Sequence, residues 1–297
     1  MLQLTLGFHY EYFGSWCGRD AWQCSFSSIV GGLRFKSFRH SASKGGGCYF
    51  ISELASKLIE VEDIESQNEL EQLFSSLCPD IVINCIAVRK PAPTDLLKSI
   101  NIYSLLPHRL AHLCRLHSAR MIQISTDGVF SGSRGLYSED DFPDASDLYG
   151  ISKILGEIRE PHAITLRTSI IGHELQTKTG LLEWFLSQQK QCRCYTRSIF
   201  SGFPTVVFAK MIRDVILPRP DLNGIYHVAT KPTSKFDLLK LVAQKYGKSV
   251  NIVPDDKVVI DRSLSADKFE SATGYSSPDW PTLIDTMHSY KYGLAGN

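Results

Sequence analysis

Residues 121–153, MIQISTDGVFSGSRGLYSEDDFPDASDLYGISK, decide the reading of this 297-residue chain. An apolar run at 121–124 stops at Ser125-Thr126-Asp127. A loop rich in Gly, Ser, Asp and Pro follows, and Tyr149-Gly-Ile-Ser-Lys153 then opens a segment with the apolar spacing of a helix. A strand that ends in a polar cluster and leads through a loop to a helix start is how an open α/β sheet builds a site at a strand's carboxyl end.

Positions four apart share one face of a helix, so Lys153 would hold its ammonium near the Tyr149 phenol. An ordinary Tyr, with a pKa of about 10, is a poor acid or base at neutral pH. A neighbouring cation favours phenolate, and lowering the pKa by roughly 3 units takes about 4 kcal/mol of differential interaction. A Tyr tuned in this way can exchange a proton with a carbinol oxygen, and the hydroxyl of Ser125 or Thr126 could hydrogen-bond that same oxygen. Short patterns arise by chance, yet of the 12 Tyr only Tyr149 has Lys four residues on, and it follows this strand and loop.

The formal net charge of +1 offers no electrostatic footprint for nucleic acid or an acidic membrane surface. No apolar run approaches the ~18 residues of a membrane span, and the amino terminus MLQLTLGFHY lacks the basic and apolar regions of a secretory signal. The 8 Cys are scattered, several inside apolar segments, which suits buried thiols in a reducing cytoplasm better than a disulfide framework. Cys192-x-Cys194 has the wrong spacing for a zinc knuckle, and His108 and His112 read as polar helix surface, so no metal is expected.

Ser125-Thr126-Asp127, then Tyr149-x-x-x-Lys153, then Leu166-Arg167-Thr168-Ser169 resemble, in that order, the extended short-chain dehydrogenase/reductases. Within these the resemblance is to the dTDP-4-dehydrorhamnose reductases and related nucleotide-sugar reductases, over roughly residues 61–286. It implies an α/β fold. A Rossmann-type doubly wound parallel sheet would occupy residues 1–168. A smaller carboxyl-terminal substrate-binding lobe would occupy residues 169–297, partly interleaved with the first. The implied cofactor is NADP or NAD, and the implied substrate is a nucleotide-linked 4-keto sugar. In those roles Tyr149 gives the proton, Lys153 lowers its pKa and orients the nicotinamide ribose, and Thr126 hydrogen-bonds the keto oxygen, with Ser125 beside it. A homodimer is left open.

Along the chain, residues 3–6 read as a first strand ending at Gly7. The resemblance calls for Gly-x-x-Gly-x-x-Gly next, to bring backbone up to a pyrophosphate. The chain instead reads GFHYEYFGSWCGRDAW, in which Gly7 and Gly18-Arg19 fit the ends of the motif but no intact fingerprint exists. Residues 8–50 are rich in aromatics. An insertion, a diverged loop that still binds, and a disrupted reading frame all remain open. Residues 28–33 read as the second strand, and Arg34, Lys36 and Arg39 after it lean toward the 2′-phosphate of NADP. By resemblance Asp63-Ile64 holds the adenine amino group; the competing reading is a cap for a helix at 66–77. Asn84-Cys85-Ile86-Ala87 closes the apolar run IVINCIAV and resembles the turn that packs on the cofactor. Residues 94–117 read as helical, with a kink or restart at Pro107. Asn101 before it either supports the catalytic Lys through water or lies on the surface. Residues 163–168 form another strand, and Arg167 opens the turn that resembles the one beside the nicotinamide. Helices at 181–189, 206–217 and 236–246, the last closed by Gly247, and strands at 224–228 and 251–253 supply the lobe.

Departures from the resemblance concern the sugar. A Tyr usually follows Ser-Thr-Asp, and here it is Gly128; a Trp often follows Arg-Thr-Ser, and here it is Ile170. Asp127, Gly128 and Ile170 therefore line the expected substrate side, and Trp184 or Phe203 is the candidate to stack on the ring. An epimerase or dehydratase on the same sugars is a close variant. A non-catalytic NAD(P)-binding regulatory subunit, such as that of methionine adenosyltransferase, is the reading from another class.

Overall fold

Seven parallel strands frame the molecule: β1 Leu2–Leu6, β2 Arg34–His40, β3 Leu58–Val61, β4 Ile81–Asn84, β5 Arg120–Ile124, β6 Ala163–Arg167 and β7 Gly224–His227. Their spatial order is β3-β2-β1-β4-β5-β6-β7. This is a Rossmann-type α/β sheet, whose order reverses between β1 and β4, where such sheets open a ligand crevice. The structure is a computed structural model that describes residues 2–6, 34–40, 58–61, 63–87, 95–174 and 180–290. Every residue of β4 and of β6 is buried, as expected of parallel strands covered on both faces. The register pairs Leu6 with Asn84, Asn84 with Gln123 and Ile124 with Leu166. The carboxyl ends therefore lie level, and the polar residues that follow them meet on one rim.

The second strand is a correction. It runs Arg34–His40, paired with β1 from Arg34 and with β3 from Ser37, so Arg34, Lys36 and Arg39 lie inside a strand and not after one. Charged side chains hid this strand from a reading based on apolar runs, and the lean toward a 2′-phosphate loses its basis. The expected strand at 28–33 and the glycines Gly7 and Gly18 with Arg19 lie outside the described residues.

Helices cover the sheet. In α1, Gln67–Leu77, Leu70, Leu73, Phe74 and Leu77 recur at helical spacing and are buried. The Ser66 hydroxyl caps its start, accepting from the Glu69 N–H at 3.4 Å, and Glu69 Oε2 reaches past the cap to accept from the Asp63 N–H at 3.0 Å. The segment across Pro107 is α2, Leu96–Ser99, a π-helical turn, Ile100–Leu105, and α3, Leu106–Leu116. The restart thus falls just before Pro107, which sits in the first turn of α3, where a missing N–H costs least. Next comes α4, Leu148–Leu155, capped by the Asp147 carboxylate, which accepts from the Gly150 N–H at 3.0 Å.

The carboxyl-terminal half adds α5 Leu181–Ser187, α6 Thr205–Met211, α7 Lys235–Lys245, α8 Asp267–Thr273 and α9 Trp280–Ser289. They pack with short strand pairs around Phe185, Phe203, Phe208, Phe269 and Trp280. This half also sends β7 back to the edge of the large sheet beside β6. The loop between β5 and α4 is sewn to it: the Tyr137 N–H donates to the Ser263 carbonyl at 2.9 Å, Ser265 N–H to the Tyr137 carbonyl at 2.8 Å, and Asp261 N–H to the Gly132 carbonyl at 2.7 Å.

Candidate active site

Thr126 leaves β5 in extended conformation, and its hydroxyl accepts from the Gly128 N–H at 3.0 Å, which starts a single tight turn at Asp127–Val129. The first turn of α4 lands on that turn at Gly150. A Cβ at Gly150 would lie 2.6 Å from the Gly128 carbonyl oxygen and would strike the Cβ of Ala145. The missing side chain is what lets Tyr149 reach the strand end. The Tyr149 ring edge and the Thr126 hydroxyl then converge: each lies 3.2 Å from the point where a Cβ on Gly128 would sit. Tyr103, from the π-helical turn, meets the Tyr149 ring edge-on at 5.3 Å. At the far end of α4, Gly156 is pressed so closely on the Tyr103 carbonyl that no Cβ fits.

Lys153, one turn beyond Tyr149, runs back under the helix. Its side chain is 6% exposed, and its ammonium donates to the Ile124 carbonyl at 2.7 Å. The Tyr103 ring centroid lies 5.8 Å from the nitrogen. Burial draws the Lys153 pKa down to about 8, against the opposing pull of Glu157 and Cys85. Burial likewise pushes the Cys85 thiol up, with Lys153 opposing.

Beneath these groups lies a buried polar layer. Glu157 Oε1 accepts from the Ser125 hydroxyl at 2.8 Å and from Arg167 Nε at 2.7 Å, and Oε2 accepts from Arg167 Nη2 at 2.7 Å. Arg167 is wholly buried, stacks over the Phe130 ring at 5.2 Å and meets His227 Nε2 through Nη1 at 3.1 Å. Burial, then Arg167, draws the His227 pKa down to about 3, so its ring is neutral. Its Nδ1 faces the Tyr137 carbonyl at 2.9 Å and must carry the proton, which leaves Nε2 to accept from Arg167. Two expectations change here. Arg167 is sealed in the sheet and touches no cofactor crevice; it is the partner of Glu157. The Ser125 hydroxyl is committed to Glu157, to which it donates.

Asp127 is 6% exposed and is bound into its own loop. The Thr126 hydroxyl donates to its Oδ1 at 3.2 Å. Burial raises its pKa to about 6, while Arg262, the Thr126 hydroxyl, Lys235 and Ser169 oppose that rise. Asp127 therefore orders the loop and does not line a substrate surface. Arg262 reaches this corner from the carboxyl-terminal half. Its Nη2 is 3.9 Å from Asp147, the cap of α4, and its Nε is a buried donor with no acceptor within the described residues. A guanidinium N–H left in that state costs about 1–3 kcal/mol unless a ligand or water fills it.

The remaining candidates separate by burial. Asn84 is buried; its amide donates to Gln123 at 2.8 Å and its oxygen accepts from the Ile86 N–H at 3.1 Å, so it shapes the turn after β4 from within the sheet. Ile86 and Ile64 point into the core, leaving only their backbone to a cofactor. Cys85 and Ala87 are half-buried at the end of β4, on the crevice rim. Asp63 is exposed after β3, and its Oδ1 accepts from the Glu65 N–H at 2.9 Å. The Asn101 amide donates to Glu65 at 2.6 Å, which ties the π-helical turn to the start of α1. Phe203 is 1% exposed among Phe208 and Tyr275 and cannot stack on a sugar. Trp184 on α5 is 37% exposed, and Ile170 is half-buried in a two-residue strand. Neither Glu157 nor Arg262 was among the expected site residues, although Asp261-Arg262-Ser263-Leu264 resembles the family's carboxyl-terminal region. Glu157 repeats the four-residue step beyond Lys153 and was findable; the stretch around Arg262 gave no sign of its role. Among the described residues no group of three or more His, Cys, Asp and Glu is placed to hold a metal, and no helix is long and apolar enough to cross a membrane.

Known proteins share this architecture. Methionine adenosyltransferase 2 subunit beta of Danio rerio is 26% identical over 253 residues, 77% of this chain and 74% of that protein. Spore coat polysaccharide biosynthesis protein SpsK of Bacillus subtilis is 28% identical over 191 residues, 61% of this chain and 65% of that protein. The structure of dTDP-4-dehydrorhamnose reductase from Bacillus anthracis, solved in complex with NADP, superimposes with a TM-score of 0.74 at 18% identity, covering 96% of this chain and 97% of that one. The model of the RmlD substrate binding domain matches residues 51–287, and the chain belongs to that family of extended short-chain dehydrogenase/reductases.

Proposed function

We propose that the protein reduces a nucleotide-linked 4-keto sugar with NADPH or NADH. One observation carries this reading: a buried Lys153 ammonium one turn below Tyr149, whose ring edge shares a point with the Thr126 hydroxyl at the carboxyl end of β5. The residues on the rim fit a dinucleotide. Cys85 and Ala87 line the end of β4 at the switch point, and Asp63 offers an exposed carboxylate after β3. When bound, the nicotinamide supplies the hydride. Tyr149 gives its phenolic proton to the keto oxygen as charge builds there. Lys153 stabilises the phenolate left behind and would hold the nicotinamide ribose. The Thr126 hydroxyl exchanges Asp127 for the same keto oxygen. The unfilled Arg262 Nε–H supplies a donor to an oxygen of the sugar nucleotide. Tyr149→Phe should cut turnover by at least about 10²-fold while NADPH still binds, measured as NADPH oxidation over a panel of nucleotide-4-keto sugars. Residual turnover near the wild-type rate would overturn the reading.

A second reading is a non-catalytic subunit that binds a partner enzyme. The similarity to methionine adenosyltransferase 2 subunit beta favours it, as does the lack of an intact Gly-x-x-Gly-x-x-Gly after Leu6. Fluorescence titration separates the two. NADPH binding with turnover of one panel member supports the reductase; binding without turnover, or no binding, supports the subunit.

A further inference from the structure

The π-helical turn Ile100–Leu105 interrupts what is otherwise a continuous helical segment. The Leu106 N–H donates to the Asn101 carbonyl, five residues back, where an α-helix would pair residues four apart. Single turns of this kind are frequent at functional sites. Here the turn and the start of α3 are fastened to α4. The Ser104 hydroxyl donates to the Ser152 carbonyl at 2.9 Å, His108 Nε2 lies 2.7 Å from the Leu155 carbonyl oxygen, and the Tyr103 carbonyl presses on Gly156 so closely that no Cβ fits. The other anchor is the start of α1, where the Asn101 amide donates to Glu65 at 2.6 Å.

The side chain presented by this turn is that of Tyr103, which is 1% exposed. Its ring stands at 90° to that of Tyr149 with the centroids 5.3 Å apart, within the range of edge-to-face attraction. The Lys153 nitrogen lies over the same ring, 5.8 Å from its centroid, within cation–π range. A buried aromatic side chain is ordinarily core filling. Tyr103 differs because a single ring meets both members of the Tyr149–Lys153 pair, and because the backbone that carries it is fixed to the helix that carries them. The ammonium donates to the uncharged Ile124 carbonyl, and the ring adds the negative potential of its face without a group that titrates at neutral pH. Glu157, past the end of α4, and Cys85, after β4, also bear on the ammonium; both stay in place in the substitutions below.

We propose that Tyr103 is a positioning residue of the site: its ring sets the spacing between the Tyr149 phenol and the Lys153 ammonium, and its face helps to hold that ammonium in the charged form. Both contacts are made by the ring and neither by the Tyr103 hydroxyl. The inference rests on Tyr149 and Lys153 forming the site proposed above, yet the charge of Lys153 can be followed with no substrate or cofactor present.

The first measurement is a pH titration of the full-length chain labelled at the ε-carbon of lysine, read by NMR, with the Lys153 resonance identified by its loss in Lys153→Arg. In Tyr103→Leu the Lys153 midpoint should fall by about 0.4 to 1.5 units, which is a cation–π contribution of about 0.5–2 kcal/mol at 1.36 kcal/mol per unit. Tyr103→Phe, which keeps the ring, should titrate like the wild type. A Tyr103→Leu midpoint equal to the wild type would overturn the proposal, as would Tyr103→Phe behaving like Tyr103→Leu. Kinetics read the spacing. With a keto sugar that the wild type reduces, Tyr103→Leu should lower kcat by about 10- to 100-fold, as a small misplacement of a reacting group does, with KM within about twofold of the wild type and Tyr103→Phe close to it in both. A full kcat in Tyr103→Leu would overturn the spacing role. If Tyr103→Leu does not fold, Tyr103→Met takes its place with the same criteria. Failure of the wild type to reduce any keto sugar would overturn the proposed activity and leave the titration to decide on Tyr103.

Discussion

Replacing Asp127 by Asn should make the protein more stable at neutral pH, and the gain should vanish in acid. The magnitude follows from the carboxyl's position. Burial raises its pKa from 3.8 to about 6, a shift of roughly 2 units, or about 3 kcal/mol at 1.36 kcal/mol per unit. Asp127 is 6% exposed, so solvent screening does not reduce the figure much. The sign is that of a carboxylate whose folded pKa lies above its unfolded value. Between about pH 4 and pH 6 the folded chain holds a proton that the unfolded chain has lost, so stability falls as pH rises through that window. Above it the folded state carries the full cost of an ionised, buried carboxylate. Asn copies the shape of the protonated acid and can still accept from the Thr126 hydroxyl. Urea unfolding of both proteins at half-unit steps from pH 4 to 8 gives the comparison. The variant should exceed the wild type by up to about 3 kcal/mol at pH 7.5, and the two curves should converge near pH 4. A difference that stays constant across the range would refute the assignment of Asp127 as a strained, loop-ordering acid. A wild type more stable than the variant at pH 7.5 would do the same, and would point to Arg262 as the stronger influence.

Two further substitutions probe the frame and the substrate side. Gly156→Ala places a methyl on the Tyr103 carbonyl and should cost about 1–3 kcal/mol as α4 shifts; an unchanged melting temperature would show that the contact is slack. Arg262→Gln should raise KM for the sugar nucleotide by about 10- to 100-fold, the worth of a hydrogen bond from a charged donor, with kcat nearly unchanged and NADPH affinity intact. Steady-state kinetics check this, and an unaltered KM would remove Arg262 from the substrate's contacts.

Much of the frame was legible because parallel strands buried on both faces announce themselves as apolar runs. IVIN at 81–84 and AITLR at 163–167 were readable for that reason. The strand at Arg34–His40 was not, since its partners and not its composition define it. That Tyr149 and Lys153 stand one helical turn apart was readable from their spacing together with the strand and loop before them, and the position of Thr126 from the abrupt polar end of β5. Arg167 was misplaced because a motif beside an expected nicotinamide gives no hint of which way a side chain turns; the answer depends on Glu157, ten residues earlier in the chain but adjacent in space. Phe203 failed for a related reason, since an aromatic residue next to Gly and Pro reads equally well as exposed or as core. The role of Arg262 was not legible in the stretch around it, because its meaning comes from Asp127 and Asp147 on a distant loop.

The seams at Gly132, Tyr137 and Ser263 bear on how such a protein could be re-tooled. Swapping in a relative's carboxyl-terminal half at residue 168, a natural place to splice, would cut the loop that follows Thr126 from the backbone partners that hold it. A workable graft has to carry residues 131–139 along with 260–265 as one cassette. Under the proposed reductase activity, changes of sugar preference are expected to come as paired exchanges in these two stretches, because either one alone meets a mismatched edge.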